Sequence, residues 1–392
     1  MQTNSNNRRN WLKQTALLSG GLALFPSLSS IANDKPIPDL IESDLGYFSA
    51  EEEGFELTSP KLKARLFANE NPFGPSAKAK QAIRDSIDRS YQYAIREIDI
   101  ITDKLAEYEG LKSEQFIINA GSSAILLAAA IKYSKKGNIV SANPTYEDLL
   151  KNSERMGGKV QRISLTPEYA FDLDAIESAV DETTSLVYIC NPNNPTGTIV
   201  DNEKLKGFCE RVSKKTLVFV DEAYIDYAKD PKATSVVSLV KNGNPNLIVA
   251  RTFSKLYGMA GLRFGYAMGD PATLQGLSSY SAGAFNISNA SLAAANASFQ
   301  DQAYIKEVLE KTNASKKYLY ETLKKEGYSY VPSSANFVIF PVRKDAIEFA
   351  TAMDKMGIGL RSWRFAGKDW CRISIGTMDE MKAFAEALPK VG

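Results

Sequence analysis

Short apolar runs recur from Phe116 to Met268, with helix-patterned stretches between them. Most of the runs at 116–119, 138–141, 160–163, 186–190, 217–220, 247–250 and 264–268 are continuous rather than alternating, so the set reads as strands of a sheet covered on both faces. Stretches at 122–133, 146–155, 173–180 and 204–212 read as the helices that separate them. This order predicts an α/β fold: a mostly parallel seven-stranded sheet covered by helices. Ahead of it, Ser76 is placed to cap a helix over 77–88, and a second helix runs over 98–109 to Gly110. After Ser281 the pattern changes. A long helical region at 303–326 leads to strands at 337–342, 359–361 and 371–375, which predicts a smaller α+β domain. The boundaries implied are 33–90 for an N-terminal arm that partly joins the small domain, 91–285 for the large domain and 286–392 for the small one.

The first residues follow a different logic. Arg8 and Arg9 precede an apolar segment, Ala16 to Phe25, and Ser30-Ile31-Ala32 offers small residues for cleavage. That is the layout of a twin-arginine-type export signal over 1–32, and it predicts a periplasmic protein; a tail on a cytoplasmic protein is the alternative. Gly20 and Gly21 interrupt the apolar segment, which is too short for a stable membrane span.

Composition narrows the chemistry. The chain of 392 residues is 44% hydrophobic and 24% charged, with net charge +1, so no global field points to nucleic acid. Three cysteines stand far apart without metal-ligand spacing. There is no histidine, which excludes a Ser-His-Asp or Cys-His nucleophile and a histidine base. Acid–base work falls to Lys, Tyr, Asp, Glu or a cofactor.

Ligands of parallel sheets bind at the carboxyl ends of strands, and the polar motifs fall there. Gly121-Ser122-Ser123 follows a strand and opens a helix, so its free N–H groups and hydroxyls form an anion cup. In Asn191-Pro-Asn-Asn-Pro-Thr-Gly197, two prolines and a glycine shape a loop that presents Asn194. Asp221 ends a strand, with Tyr224 three residues later. Lys255 stands between two buried strands, flanked by Thr252, Ser254 and Arg263. A desolvated lysine gains nucleophilic character, and its neighbours supply donors for a phosphate.

The ordered series NENPFG, GSS, PTYEDL, NPNNPTG, DEAY, TFSK and AGLRFGY resembles the fold-type I pyridoxal-phosphate aminotransferases, nearest in pattern to the histidinol-phosphate aminotransferase group, over about Asn69 to Gly376. The resemblance implies pyridoxal 5'-phosphate as cofactor, a small-molecule amino donor and a 2-oxo acid acceptor. It implies Lys255 as the Schiff-base lysine and Asp221 as the partner of the pyridine nitrogen. Asn194 and Tyr224 correspond to donors to the ring 3-oxygen, and Tyr146 to the aromatic that stacks on the ring. Gly121, Ser122, Ser123, Thr252, Ser254 and Arg263 correspond to the phosphate site. Tyr93 matches the tyrosine that reaches a neighbouring subunit's phosphate, which implies a homodimer with shared sites. Asn71, Arg361 and Arg372 correspond to substrate-binding positions. Ser123 departs from the pattern, which usually has an acid there. Amino acid (phosphate) decarboxylases resemble the same scaffold and are the alternative activity.

Overall fold

The computed structural model describes residues 62–391, so the expected export signal and the arm up to residue 61 lie outside the described residues. A two-residue strand, β1 (Ala64–Arg65), precedes helices α1 (Ala77–Ser86) and α2 (Ile95–Glu109). The seven apolar runs then form β2 (Phe116–Asn119), β3 (Asn138–Asn143), β4 (Lys159–Ser164), β5 (Thr184–Cys190), β6 (Leu217–Asp221), β7 (Leu247–Thr252) and β8 (Gly265–Gly269). They make one sheet in the order β2-β8-β7-β6-β5-β3-β4. Helices α3 (Ser122–Tyr133), α4 (Asp148–Arg155), α5 (Leu173–Ala179) and α6 (Asn202–Val212) are the crossovers.

Burial follows position in the sheet. Every residue of central β6 and β7 is buried, and their Leu, Val, Phe and Ile side chains fill both faces. β4, at the edge, carries Lys159, Gln161 and Arg162 and is nowhere fully buried. Only β8 runs against its neighbours. Its reversal brings the amino end of β8 to the edge where β6 and β7 end.

The rest of the chain adds α7 (Asn289–Phe299), α8 (Gln302–Lys325), β9 (Phe337–Pro341), α9 (Ala346–Lys355), β10 (Ile358–Gly359), β11 (Arg361–Phe365), β12 (Lys368–Ser374) and α10 (Met378–Val391). β11, β12 and β9 form an antiparallel sheet, and β1 pairs in parallel with β10. Ala64 and Leu66 pack there with Leu319, Phe340, Phe349 and Phe384. The strand expected at 359–361 divides at Leu360 into β10 and the start of β11. Ala366 and Gly367, both at positive φ, turn β11 back into β12. Arg361, Trp363 and Phe365 share one face of β11, an alternation that mixed polarity hid in the sequence. Ala79 of α1 and Leu292, Ala295 and Phe299 of α7 belong to the large sheet's core, so that core draws on residues on either side of 91–285. Among the described residues no helix is long and apolar enough to cross a membrane.

A buried ion-pair network joins the ends of β6 and β7. Arg251 Nε donates to Glu222 Oε2 (2.9 Å), Nη1 to Glu109 Oε1 at the end of α2 (2.6 Å), and Nη2 to Ser235 Oγ (2.8 Å). Glu222, 1% exposed, also accepts from the Val236 N–H (3.0 Å). Removing one partner leaves a charge buried without compensation. Glu222→Ala should therefore lower the unfolding free energy by about 3 kcal/mol. Urea unfolding measures this, and a midpoint equal to wild type would contradict it.

Candidate active site

The carboxyl ends of β2, β5, β6 and β7 meet the amino end of β8 on one edge of the sheet. Two glycines let that edge close. A Cβ on Gly265 would lie 2.4 Å from the Ser122 nitrogen, and one on Gly121 (φ +86°) would lie 2.5 Å from Arg263 Nη2. Residue 263 itself is in the left-handed region (φ 56°), which turns its guanidinium back over the start of α3. Its Nη1 donates to Ala260 O (3.1 Å) and reaches Ser254 Oγ at 3.5 Å. The helix N-terminus, Arg263 and Ser254 thus surround one small space suited to a dianion. Thr252, expected at the phosphate, stands beside Ser254. Its hydroxyl accepts from the Ser254 N–H (3.1 Å) and lies within bonding distance of Ser254 Oγ (2.9 Å) and Phe264 O (3.2 Å). It braces the turn that carries Ser254 and Lys255.

Lys255 follows that turn. Its Nζ stands 5.3 Å from the centroid of the Tyr224 ring. Burial, and then the nearby charge of Arg372, lower its pKa from the usual 10.5 to about 8; Glu70 and Asp221 oppose part of the shift. Asp221 is 1% exposed at the end of β6. Burial pushes its carboxyl up to about 6, against the Ala223 N–H (3.0 Å) and Tyr188 hydroxyl (3.2 Å) that donate to it. A buried acid and a half-buried amine thus sit at and just past the ends of adjacent strands.

The asparagine loop separates structural from presented side chains. Asn191 Oδ1 accepts from the Val200 N–H (2.9 Å), and Asn193 Nδ2 donates to Pro144 O (3.1 Å) and Thr196 Oγ1 (2.9 Å). Asn194 Oδ1 instead accepts from Arg372 Nη1 (2.6 Å). Arg372 is 1% exposed; its Nη2 donates to Phe67 O (2.8 Å), and its guanidinium lies over Phe337 (5.4 Å) and Trp363 (5.7 Å). Arg361 is paired in register with Arg372, half-buried on β11.

Tyr146 is half-buried, with its hydroxyl donating to Asp148 Oδ2 (2.5 Å). Ser123 is the second residue of α3, on the turn that opens the anion space. Tyr93 is 78% exposed and meets Phe285 edge-on, so its own chain does not fold it into the buried cluster around Lys255. Asn71, expected at the substrate, donates to Leu256 O (2.7 Å) and accepts from the Phe73 N–H (2.9 Å). It clasps the arm to the Lys255 loop. Sequence reasoning passed over Asn69, whose Nδ2 donates to the Tyr224 hydroxyl (3.1 Å) and whose backbone N–H donates to Ser374 Oγ (2.8 Å). The available signal was weak: asparagine tolerates the left-handed backbone that residue 69 adopts (φ 53°).

Residues 63–388 match the family Aminotransferase class I and II. The chain belongs to that family. It is 36% identical over 329 residues to the histidinol-phosphate aminotransferase of Moorella thermoacetica, covering 83% of this chain and 85% of that one. A crystal structure of histidinol-phosphate aminotransferase from Sinorhizobium meliloti, in complex with pyridoxal-5'-phosphate, superposes with TM-score 0.79 at 30% identity, covering 89% of this chain and 98% of that chain. A putative histidinol-phosphate aminotransferase from Erwinia carotovora atroseptica gives TM-score 0.80 at 33% identity, covering 83% and 95%. The chain is a pyridoxal-phosphate-dependent aminotransferase. The residues fit that cofactor: a glycine-lined anion space, a lysine of depressed pKa and a buried carboxylate are grouped at one edge.

Only the neutral amine attacks the cofactor's carbonyl. Covalent uptake of pyridoxal phosphate by the apo-protein, followed by visible absorbance, should accelerate with pH and level off above about 8. Arg372→Ala removes a neighbouring cation that disfavours the ammonium, so the midpoint should move to higher pH. An uptake rate flat between about pH 6 and about 8 would overturn the assignment.

Proposed function

We propose that this aminotransferase moves the amino group of a donor with one anionic end and a ring-bearing or otherwise bulky side chain to a 2-oxo acid. Histidinol phosphate and aromatic amino acids are the donor classes meant. The observation that carries the reading is the buried Arg372 guanidinium, held by Asn194 and Phe67 between the faces of Phe337 and Trp363. A guanidinium fixed in that way suits a carboxylate or phosphate, and the aromatic surface suits a ring. Relatives named histidinol-phosphate aminotransferase at 33–36% identity support the same class.

In this reading Gly121, Ser122, Ser254 and Arg263 would hold the cofactor's phosphate, with Tyr146 over its ring. Asn194 and Tyr224 would donate to the ring 3-oxygen. When bound, pyridoxal phosphate supplies the sink for the electrons left as Cα loses a proton. Asp221 would keep a proton at the ring nitrogen, because a buried carboxylate strongly favours an adjacent cation. Lys255, with a pKa of about 8, is suited to take the Cα proton and to return it. Arg372, with Arg361 beside it in register, would orient the anionic end. The test is turnover of histidinol phosphate, phenylalanine and aspartate by wild type and Arg372→Ala. The expected result is a preference for one of the first two, with kcat/KM for it falling roughly a hundredfold in the variant. Strong preference for aspartate, or an Arg372→Ala variant with unchanged kcat/KM, would overturn the proposal.

The same reading extends to the assembly. Tyr93 stands with Ile87, Tyr91, Ile95 and Phe285 among exposed large apolar side chains, a pattern that marks an interaction surface. A homodimer in which Tyr93 serves the partner's phosphate site would cover it. Mixing Lys255→Ala with Tyr93→Phe subunits then yields hybrids in which one of the two sites has neither lesion. Activity above both parents is expected after verified exchange, and activity that never exceeds them would rule out a shared site.

A further inference from the structure

An acid in the first turn of a helix is ordinarily placed for the helix dipole. Asp148 opens α4, but its carboxylate turns back along the chain to a hydroxyl two residues earlier. The Tyr146 hydroxyl donates to Asp148 Oδ2 at 2.5 Å, the length of a charge-assisted O–H···O⁻ bond. Burial and then the Asp148 charge hold the Tyr146 phenol well above its usual pKa, so it stays a neutral donor. The charge of Asp148 also acts on Tyr188 and Asp221. The tip of the Tyr146 ring is therefore tied to the first residue of α4, whose carboxylate shares a field with Asp221.

We propose that Asp148 is a positioning residue of the cofactor site: it fixes the plane of the Tyr146 ring by holding that ring's hydroxyl. A tyrosine is hinged at Cβ and free to tilt about two torsions. The hydroxyl oxygen lies on the Cβ–Cγ axis, so anchoring it fixes the first torsion; because a phenolic O–H prefers the plane of its ring, the direction of its bond to Asp148 also sets the second, which is what a ring stacked on a cofactor requires. The proposal rests on the reading of Tyr146 and Lys255 above. It predicts that Asp148 and the Tyr146 hydroxyl act as one unit, so that removing either removes the effect of the other.

The experiment titrates pyridoxal phosphate into the apo-forms of Asp148→Ala, Asp148→Asn, Tyr146→Phe and the Asp148→Ala/Tyr146→Phe double variant. Affinity and the induced circular dichroism of the bound cofactor are read, since the latter reports the ring's asymmetric surroundings and not folding stability. Asp148→Ala should weaken affinity roughly tenfold and change the dichroism as Tyr146→Phe does, and the double variant should be no worse than either. Asp148→Asn, whose amide oxygen still accepts, should stay within about threefold of wild type. Unchanged affinity and dichroism in Asp148→Ala would overturn the proposal. So would effects that multiply in the double variant, or an Asp148→Asn variant as impaired as Asp148→Ala. Borohydride reduction and peptide mapping of each protein separate the two levels. With the cofactor on Lys255 a negative result counts against Asp148 alone, and with it elsewhere the reading of the site falls too.

Discussion

A guanidinium withdrawn from water must find oxygens that are already fixed in place, and Arg372 depends on two that belong to other parts of the chain. One is Asn194 Oδ1 on the loop after β5, and the other is the Phe67 carbonyl in the segment after β1. β12, which carries Arg372, is thereby locked to the edge of the large sheet and to the start of the described chain. An unmet charge at 1% exposure would cost several kcal/mol, so these three stretches hold a single relative position. The same charge helps to lower the pKa of Lys255. One residue therefore couples the packing of the small sheet to the reactivity of the amine.

The strand ends that carry the site are stiffened from behind. Successive strand residues project to opposite faces, so Glu222 turns away from Asp221, and Arg251 away from Thr252. The Glu222–Arg251–Glu109 network joins β6, β7 and α2 on that far side. The near side is left to Asp221, Lys255 and the anion space. Placing the strong, fully satisfied ion pairs on one face allows the other to keep a desolvated amine and acid, neither of which is closely paired with the other.

Much of this could be read along the chain. Continuous apolar runs marked most of β2 to β8, because strands covered on both faces have no polar side to show, while β4 at the edge shows its exposure in Gln161 and Arg162. Lys255, Asp221, Asn194 and Arg263 were visible because each motif combines a backbone device, such as Gly121 or the paired prolines, with a residue costly to bury. The hairpin of β11 and β12 was harder, since Arg361, Trp363 and Phe365 mix charge with aromatic surface on one face. Thr252 and Asn71 stand at motif positions, and what their spacing did not show is that each also braces a turn. Side-chain donors within reach of nearby backbone bond locally first, and spacing does not reveal when they do.

By itself, the sequence determined the α/β pattern, the order of the strands along the chain, the absence of histidine chemistry and the lysine-centred, phosphate-binding character of the site. These are local properties: periodicity, residue type and short-range backbone geometry. Tertiary structure alone decided that β8 runs against the sheet, that α1 and α7 complete the large core, and that Arg372 meets Asn194 across 178 residues. It also decided that Asn69 supports Tyr224. The physical reason is the same in each case. Which buried polar atom satisfies which other one depends on how elements pack, and that pairing leaves no periodic trace in the chain.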